Sequence, residues 1–165
     1  MIPAVSIVGK SGSGKTTLIE KLIHELRQRG YRVATIKHNR HGFDIDHEGK
    51  DSWRHKKAGA QMTVIASPIQ VAIIEDTERD YEISELIENY IHDVDIILIE
   101  GFKGNAYPKI EVFRSEVGHE LLYIPHNNYV AIASDQPFNI GIPSFDINNV
   151  TGIADLIENS ILNTT

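Results

Sequence analysis

Apolar positions along this chain follow two alternating rhythms. Ala4–Val8 (AVSIV) is a short continuous apolar run, of the length of a buried strand. Between Thr16 and Arg29, Leu18, Ile19, Leu22, Ile23 and Leu26 repeat at helical spacing and share one face. Gly30 follows, at the position where a helix commonly ends in a left-handed residue. Arg32–Lys37 (RVATIK) reads as the next strand. Strand, helix and strand in that order make a βαβ unit, which implies a parallel pair joined by a right-handed crossover.

The middle of the chain is less regular. His38–Lys50 is polar and reads as loop, and Asp51–Ala60 as a short helix. Met62–Ala66 and Val71–Glu75 flank Ser67-Pro68 and predict a β-hairpin. Ile83–Ile91 is an amphipathic helix, and Asp95–Ile99 (DIILI) a strand buried on both faces. Lys109–Phe113 and Val130–Ala133 are further strands, and Ile153–Leu162 is a closing helix. No repeat, low-complexity run or linker divides the chain. The expectation is one α/β domain over residues 1–165, three-layered, with a mostly parallel sheet, helices on both faces and an inserted β-hairpin.

Composition narrows this picture. A chain of 165 residues, 41% hydrophobic and 24% charged, suits one soluble domain. No apolar run reaches the ~20 residues of a membrane span, and the opening residues do not resemble a signal peptide. Cysteine is absent, which excludes disulfides, thiolate metal sites and cysteine nucleophiles. A cytoplasmic location without a membrane partner is the expectation. The net charge of -7 argues against a nucleic-acid partner. Arg54-His55-Lys56-Lys57 is the densest basic run and reads as a solvated helix face.

The chemistry is concentrated in GKSGSGKT, residues Gly9–Thr16. The pattern G-x-x-x-x-G-K-[ST] is met by Gly9, Gly14, Lys15 and Thr16, between a strand and a helix. Gly9, Gly12 and Gly14 allow tight turning, so that the loop, Ser11 and Ser13 included, can turn bare N–H groups toward phosphate oxygens. Lys15 supplies a point charge for the β- and γ-phosphates. The Thr16 hydroxyl can ligate Mg²⁺, with Thr17 beside it. The following helix aims its positive end at the same anions. This segment is expected to bind a nucleoside triphosphate. Lys10 is either a second phosphate-side lysine or a solvated loop residue.

Acidic residues offer sites for the metal. Glu100 ends the buried strand at the sheet edge where ligands bind in open α/β folds, and is the candidate Mg²⁺-side acid and catalytic residue with Lys15. A strand-end cap is the alternative reading. Asp44 and Asp46 alternate in FDID and follow the second strand; a metal or γ-phosphate role and plain loop polarity both remain open. His38, His41 and His47 lie nearby, but their spacing fits no familiar zinc pattern. The guanine-reading motif [NT]-K-x-D is absent. Asp135, after AIAS, is a candidate base reader or a turn residue.

Several longer runs carry a resemblance: GKSGSGKTTL (9–18), IKHNRHGFDIDHEGKDSWRHKKAGA (36–60), ILIEGFK (97–103), PKIEVFR (108–114) and AIASD…FDINNVTGIADLI (131–157). Together they are similar to the molybdopterin-guanine dinucleotide biosynthesis protein B (MobB) family over nearly the whole chain. The resemblance implies a three-layer phosphate-loop NTPase fold and a homodimer that binds GTP with Mg²⁺ and hydrolyses it weakly. It also implies assistance to the guanylyltransferase MobA, which attaches GMP to molybdopterin. By matching position, residues Gly12–Thr17 hold phosphates, and Asp44, Asp46 and Glu100 are metal-side acids. Lys37, His38, Lys50 and Lys103 become anion or cofactor contacts, and the hairpin at Ser67-Pro68 a dimer element.

Two other functions use similar parts. An ATP-dependent small-molecule kinase would need an arginine-rich lid, and no compact segment resembles one. A metal-insertion GTPase would need a His-rich tail or a cysteine motif; the eight histidines are scattered. No glutamine or arginine finger in cis stands out, in keeping with slow hydrolysis. Arg40 and Arg54 could act across a dimer.

Overall fold

The first strand, β1 (Ala4–Val8), is buried at every position because it lies in the middle of a sheet. In the computed structural model, residues 2–39, 42–102, 104–118 and 120–163 are described. The other strands are β2 (Val33–Lys37), β3 (Met62–Ala66), β4 (Val71–Glu75), β5 (Ile96–Glu100), β6 (Lys109–Phe113), β7 (Tyr129–Ser134) and β8 (Ser144–Asp146). The helices are α1 (Lys15–Gln28), α2 (Asp51–Lys57), α3 (Ile83–Tyr90) and α4 (Val150–Ile157). Six strands form one parallel sheet in the order β2-β5-β1-β6-β7-β8, and β3 and β4 pair separately as an antiparallel hairpin. The chain forms two compact units, Met1–His38 with Ile83–Thr165, and Asn39–Glu82.

The six-stranded sheet belongs to the first unit. Successive side chains on a strand point to opposite faces, so a continuous apolar run can supply two cores. Val5, Ile7, Ile96, Leu98, Ile110 and Val112 meet Leu18, Leu22 and Leu26 of α1 and Ile153 and Ile157 of α4 on one face. Ala4, Ile36, Ile97 and Ile99 meet Ile83 and Ile87 of α3 on the other. Each fully buried Leu or Ile contributes about 1.5–3 kcal/mol relative to exposure. This is the expected α/β architecture, with a mostly parallel sheet and helices on both faces.

The far end of α1 is held by polar contacts. Arg29, only 19% exposed, pairs with Glu25 at 2.8 Å, Asp155 at 2.7 Å and Glu158 at 2.8 Å. The Tyr31 hydroxyl donates to Glu158 at 2.6 Å. The network joins the end of α1 to α4 and to the π-type turn Glu158–Leu162, leaving the start of α1 to the loop before it.

The second unit contains α2 and the hairpin. Met62 pairs across with Glu75, Val64 with Ile73 and Ala66 with Val71. Lys56 folds back to the carbonyls of Ala60 and Gln61 and pairs with Asp76 at 2.5 Å. The basic run is therefore not wholly a solvated face, although Arg54 and Lys57 are exposed. The hairpin leaves Met62, Val64, Ile65, Ile69, Val71 and Ile73 exposed, Ile69 at 95%.

Boundaries shift for local reasons. Asp95 does not open β5; its carboxylate holds Arg32 through guanidinium and backbone N–H groups, which keep it below the usual carboxylate range. Strand β5 instead extends to Glu100. Gly59, at φ 108, follows the close of α2 at Lys57. The closing helix starts early, at Val150, where Asn149 caps it by accepting from the Gly152 N–H. Strand β8 was not expected, being only three residues long.

Candidate functional site

The segment between β1 and α1 turns on glycines with positive φ: Gly9 at 153°, Gly12 at 79° and Gly14 at 93°. A Cβ on Gly9 would stand 2.5 Å from the Val112 carbonyl and 2.7 Å from Ser13 Oγ, so only glycine fits. The Lys15 ammonium donates to the Lys10 carbonyl at 2.8 Å and thereby spans the loop. Ser13 is 2% exposed, and its buried Oγ has no hydrogen-bond partner among the described residues. Buried polar atoms are ordinarily paired, so an orphan hydroxyl inside a glycine-rich loop at the start of a helix suits a bound anion.

Thr16, Glu100, Lys37 and His38 gather toward β5 and β2. Thr16 Oγ1 donates to Glu100 Oε1 at 3.0 Å, and Lys37 Nζ lies 3.6 Å from the same oxygen. Parallel pairing sets Lys37 opposite Glu100. The His38 N–H donates to the Glu100 carbonyl, and its ring lies 4.0 Å from that of Phe102. Thr16, Glu100, Lys37 and His38 therefore share one edge of the first unit. A hydroxyl and a carboxylate 3.0 Å apart suit a hard cation that takes its remaining ligands from phosphate and water. Thr17 is exposed beside them.

The opposite flank is built by β6, β7 and β8. Ser134, Asp135, Gln136, Pro137, Ser144, Phe145 and Asp146 line an open cleft of about 150 Å³ at the carboxyl ends of β7 and β8. The Asp135 oxygens accept from the Ser115 hydroxyl at 2.7 Å and from the Ser115 N–H at 3.0 and 3.1 Å. These bonds hold its carboxyl below the usual range, with the Arg114 charge adding to the effect. Asp135 thus anchors the 3₁₀ turn Ser115–Val117 while facing the cleft. Asp146 makes a lighter contact, accepting from the Asn148 N–H at 2.8 Å.

Comparison with known proteins supplies the kinship of this arrangement. The family profile described as molybdopterin guanine dinucleotide synthesis protein B, MobB, matches residues 4–135. The chain belongs to the MobB family. It is similar to the molybdopterin-guanine dinucleotide biosynthesis adapter protein of Haemophilus influenzae, 43% identical over 160 residues, covering 96% of this chain and 89% of that one. The Escherichia coli protein described in the same words is 41% identical over 163 residues, covering 95% and 92%. The crystal structure of Bacillus subtilis MobB matches with a TM-score of 0.75 at 30% identity, over 94% of this chain and 98% of that one.

The other expected positions in this MobB-family chain belong to the second unit or lie outside the described residues. Asp44, Asp46 and Lys50 belong to the second unit. Asp44 is exposed, Asp46 accepts from the His47 N–H, and Lys50 precedes α2. FDID is not a strand. Lys103, Arg40 and His41 lie outside the described residues. Among the described residues, no group of three or more His, Cys, Asp or Glu is gathered as for a metal ion, and no helix is long and apolar enough to cross a membrane.

Two features of the site escaped sequence reading. Arg114 closes PKIEVFR and lies against Gly14 of the glycine-rich loop. The available signal was its place just beyond the carboxyl end of a buried strand, the edge where ligands gather. Phe145 and Asp146 belong to a strand too short to leave a periodic pattern.

Proposed function

We propose that this chain is a GTP-binding adapter in molybdopterin-guanine dinucleotide biosynthesis that assists a MobA-type guanylyltransferase acting on molybdopterin. Membership of the MobB family supports the pathway and the adapter role. The observation that carries the nucleotide is the loop itself, with its left-handed glycines, buried orphan Ser13 Oγ and Lys15 beside it.

Gly9–Thr17 hold the phosphates through backbone N–H groups and Lys15. Thr16 and Glu100 hold Mg²⁺, which neutralises charge on the phosphate oxygens. Lys37 keeps the Glu100 carboxylate turned toward Thr16 and supplies a further cation at that edge. His38 fixes the Glu100 peptide from the neighbouring strand. The cleft at the ends of β7 and β8 receives the base, with Asp135 and Asp146 as acceptors for guanine N1–H and N2–H; adenine lacks that donor pair. Turnover is weak and falls to Lys15 and Glu100.

The hairpin supports the homodimer. An isolated two-stranded hairpin is marginal in water, and a flat apolar edge invites pairing. Val64, Val71 and Ile73 sit on adjoining strands and all remain exposed. A second copy of the chain covers them.

Calorimetry with GTP, GDP and ATP, with and without Mg²⁺, tests the nucleotide. Tighter binding of GTP than ATP is expected; clear ATP preference favours a kinase instead. Co-purification with the guanylyltransferase, with and without GTP and Mg²⁺, tests the adapter role. No association under any condition would remove it.

A further inference from the structure

The phosphate loop has a cation beside it that the motif does not contain. Arg114 follows β6, the strand that pairs with β1 on the side away from β5. A Cβ built on Gly14 would stand 3.2 Å from Arg114 Nε and 3.6 Å from Nη2. The guanidinium therefore occupies the space a side chain at position 14 would need, immediately before the first turn of α1. Ile147 Cδ1 also borders that space, at 3.8 Å.

A cation is poorly placed there unless an anion joins it. The free N–H groups at the start of a helix carry about half a positive charge, and a positive side chain beside them is unfavourable. Lys15 adds a further charge at the next position. The Arg114 charge also reaches the Asp135 carboxylate, whose oxygens Ser115 already occupies; its ion pair among the described residues is with Glu116, at 3.6 Å, a side chain 73% exposed. Such surface pairs contribute roughly 0–1 kcal/mol. In the same loop, Ser13 Oγ is buried without a partner among the described residues and offers a hydroxyl that an anion could accept from.

Strand order decides which part of the ligand Arg114 meets. Thr16, Glu100 and Lys37 lie toward β5 and β2. Arg114 and the cleft of Asp135 and Asp146 lie toward β6, β7 and β8. A nucleotide lying across the loop has its metal-bound γ-end on the first flank and its nucleoside end on the second. We propose that Arg114 is a binding residue for the nucleoside end, its guanidinium donating to the α-phosphate of the bound guanine nucleotide. A planar fork of N–H donors can bond two phosphate oxygens at once, which a lysine cannot reproduce. The proposal rests on the reading of the loop as a nucleotide site.

Titration of GTP and GDP in the presence of Mg²⁺ tests it on the wild type, Arg114→Ala and Arg114→Lys, with circular dichroism to verify folding. In Arg114→Ala, affinity for GTP and GDP is expected to fall by the same factor, about tenfold or more. Arg114→Lys should recover part of that loss, again equally for both. Unchanged affinities overturn the proposal. A loss confined to GTP overturns it too, by assigning the guanidinium to the γ-phosphate. If Arg114→Ala does not fold, Arg114→Lys carries the test: parallel weakening supports the assignment and unchanged binding refutes it. A wild type that binds neither nucleotide refutes the nucleotide site itself, a separate outcome.

Discussion

The Thr16 hydroxyl donates to Glu100 Oε1 at 3.0 Å, joining the first turn of α1 to the last residue of β5. The two groups proposed to share a cation hold one another in place. Glu100→Gln keeps an oxygen for Thr16 and removes the charge. GTP should still bind, while the Mg²⁺ concentration for half-maximal effect rises roughly tenfold, about 1.4 kcal/mol. A Mg²⁺ titration of GTP binding checks this; an unchanged curve returns Glu100 to the role of a strand-end cap.

Lys15 lies over the loop with its ammonium on the Lys10 carbonyl, outside the apolar core. Lys15→Ala should therefore leave the circular dichroism spectrum and the thermal midpoint nearly unchanged. Triphosphate affinity should fall by about a hundredfold or more, as a charge-assisted contact and its field are both lost. A folded variant that keeps wild-type GTP affinity would show that the site lies elsewhere.

Gly9 and Gly12 share the loop but not its crowding. At Gly9 a Cβ meets the Val112 carbonyl at 2.5 Å, whereas at Gly12 nothing among the described residues lies within 4 Å. Gly9→Ala should destabilise by roughly 1–3 kcal/mol through overpacking against backbone. Gly12→Ala should cost about 1 kcal/mol, from its left-handed φ alone. Urea unfolding of the two variants measures the difference, and equal losses would contradict the contact.

Asp135 should contribute to acid sensitivity. Ser115 holds its carboxyl below the unfolded value, so the stabilisation is present above about pH 3.9 and is lost as pH falls through the lower folded value. Asp135→Asn should be less stable at neutral pH and show a shallower loss between about pH 5 and 2. Thermal midpoints across that range give the slope; parallel curves for variant and wild type would exclude the linkage.

Ile73 is 50% exposed on β4, opposite Val64. Ile73→Asp puts a charge into that apolar strip. If the proposed dimer forms through this strip, light scattering should report a monomer for the variant, with at least about a hundredfold weaker association than the wild type, since a buried lone charge costs several kcal/mol. A variant that remains dimeric would move the interface away from the hairpin.

Much of the fold was legible because apolar periodicity is a local signal. The strands Ala4–Val8, Met62–Ala66, Val71–Glu75 and Lys109–Phe113 stand at their expected bounds. The α1 stripe was equally plain, since Leu18, Leu22 and Leu26 are all buried. Helix and strand ends were less so. Asp95 left its strand for Arg32, and Asn149 started α4 early, both through side-chain hydrogen bonds that no periodicity records. The positions of the glycine-rich loop and of Glu100 were readable because each sits beside a recognisable strand. Arg114 was not, because its proximity to Gly14 arises from the pairing of β1 with β6, about a hundred residues apart in the chain.

The hairpin has a consequence beyond assembly. It offers water a row of large apolar side chains and pairs only with itself in the sheet order. If a like ribbon covers it, folding free energy acquires a mass-action term, RT ln of the protein concentration over the dissociation constant once that ratio is large. Melting temperature then rises with expression level, and a cell making little of this chain holds a less durable form of it than a cell making much.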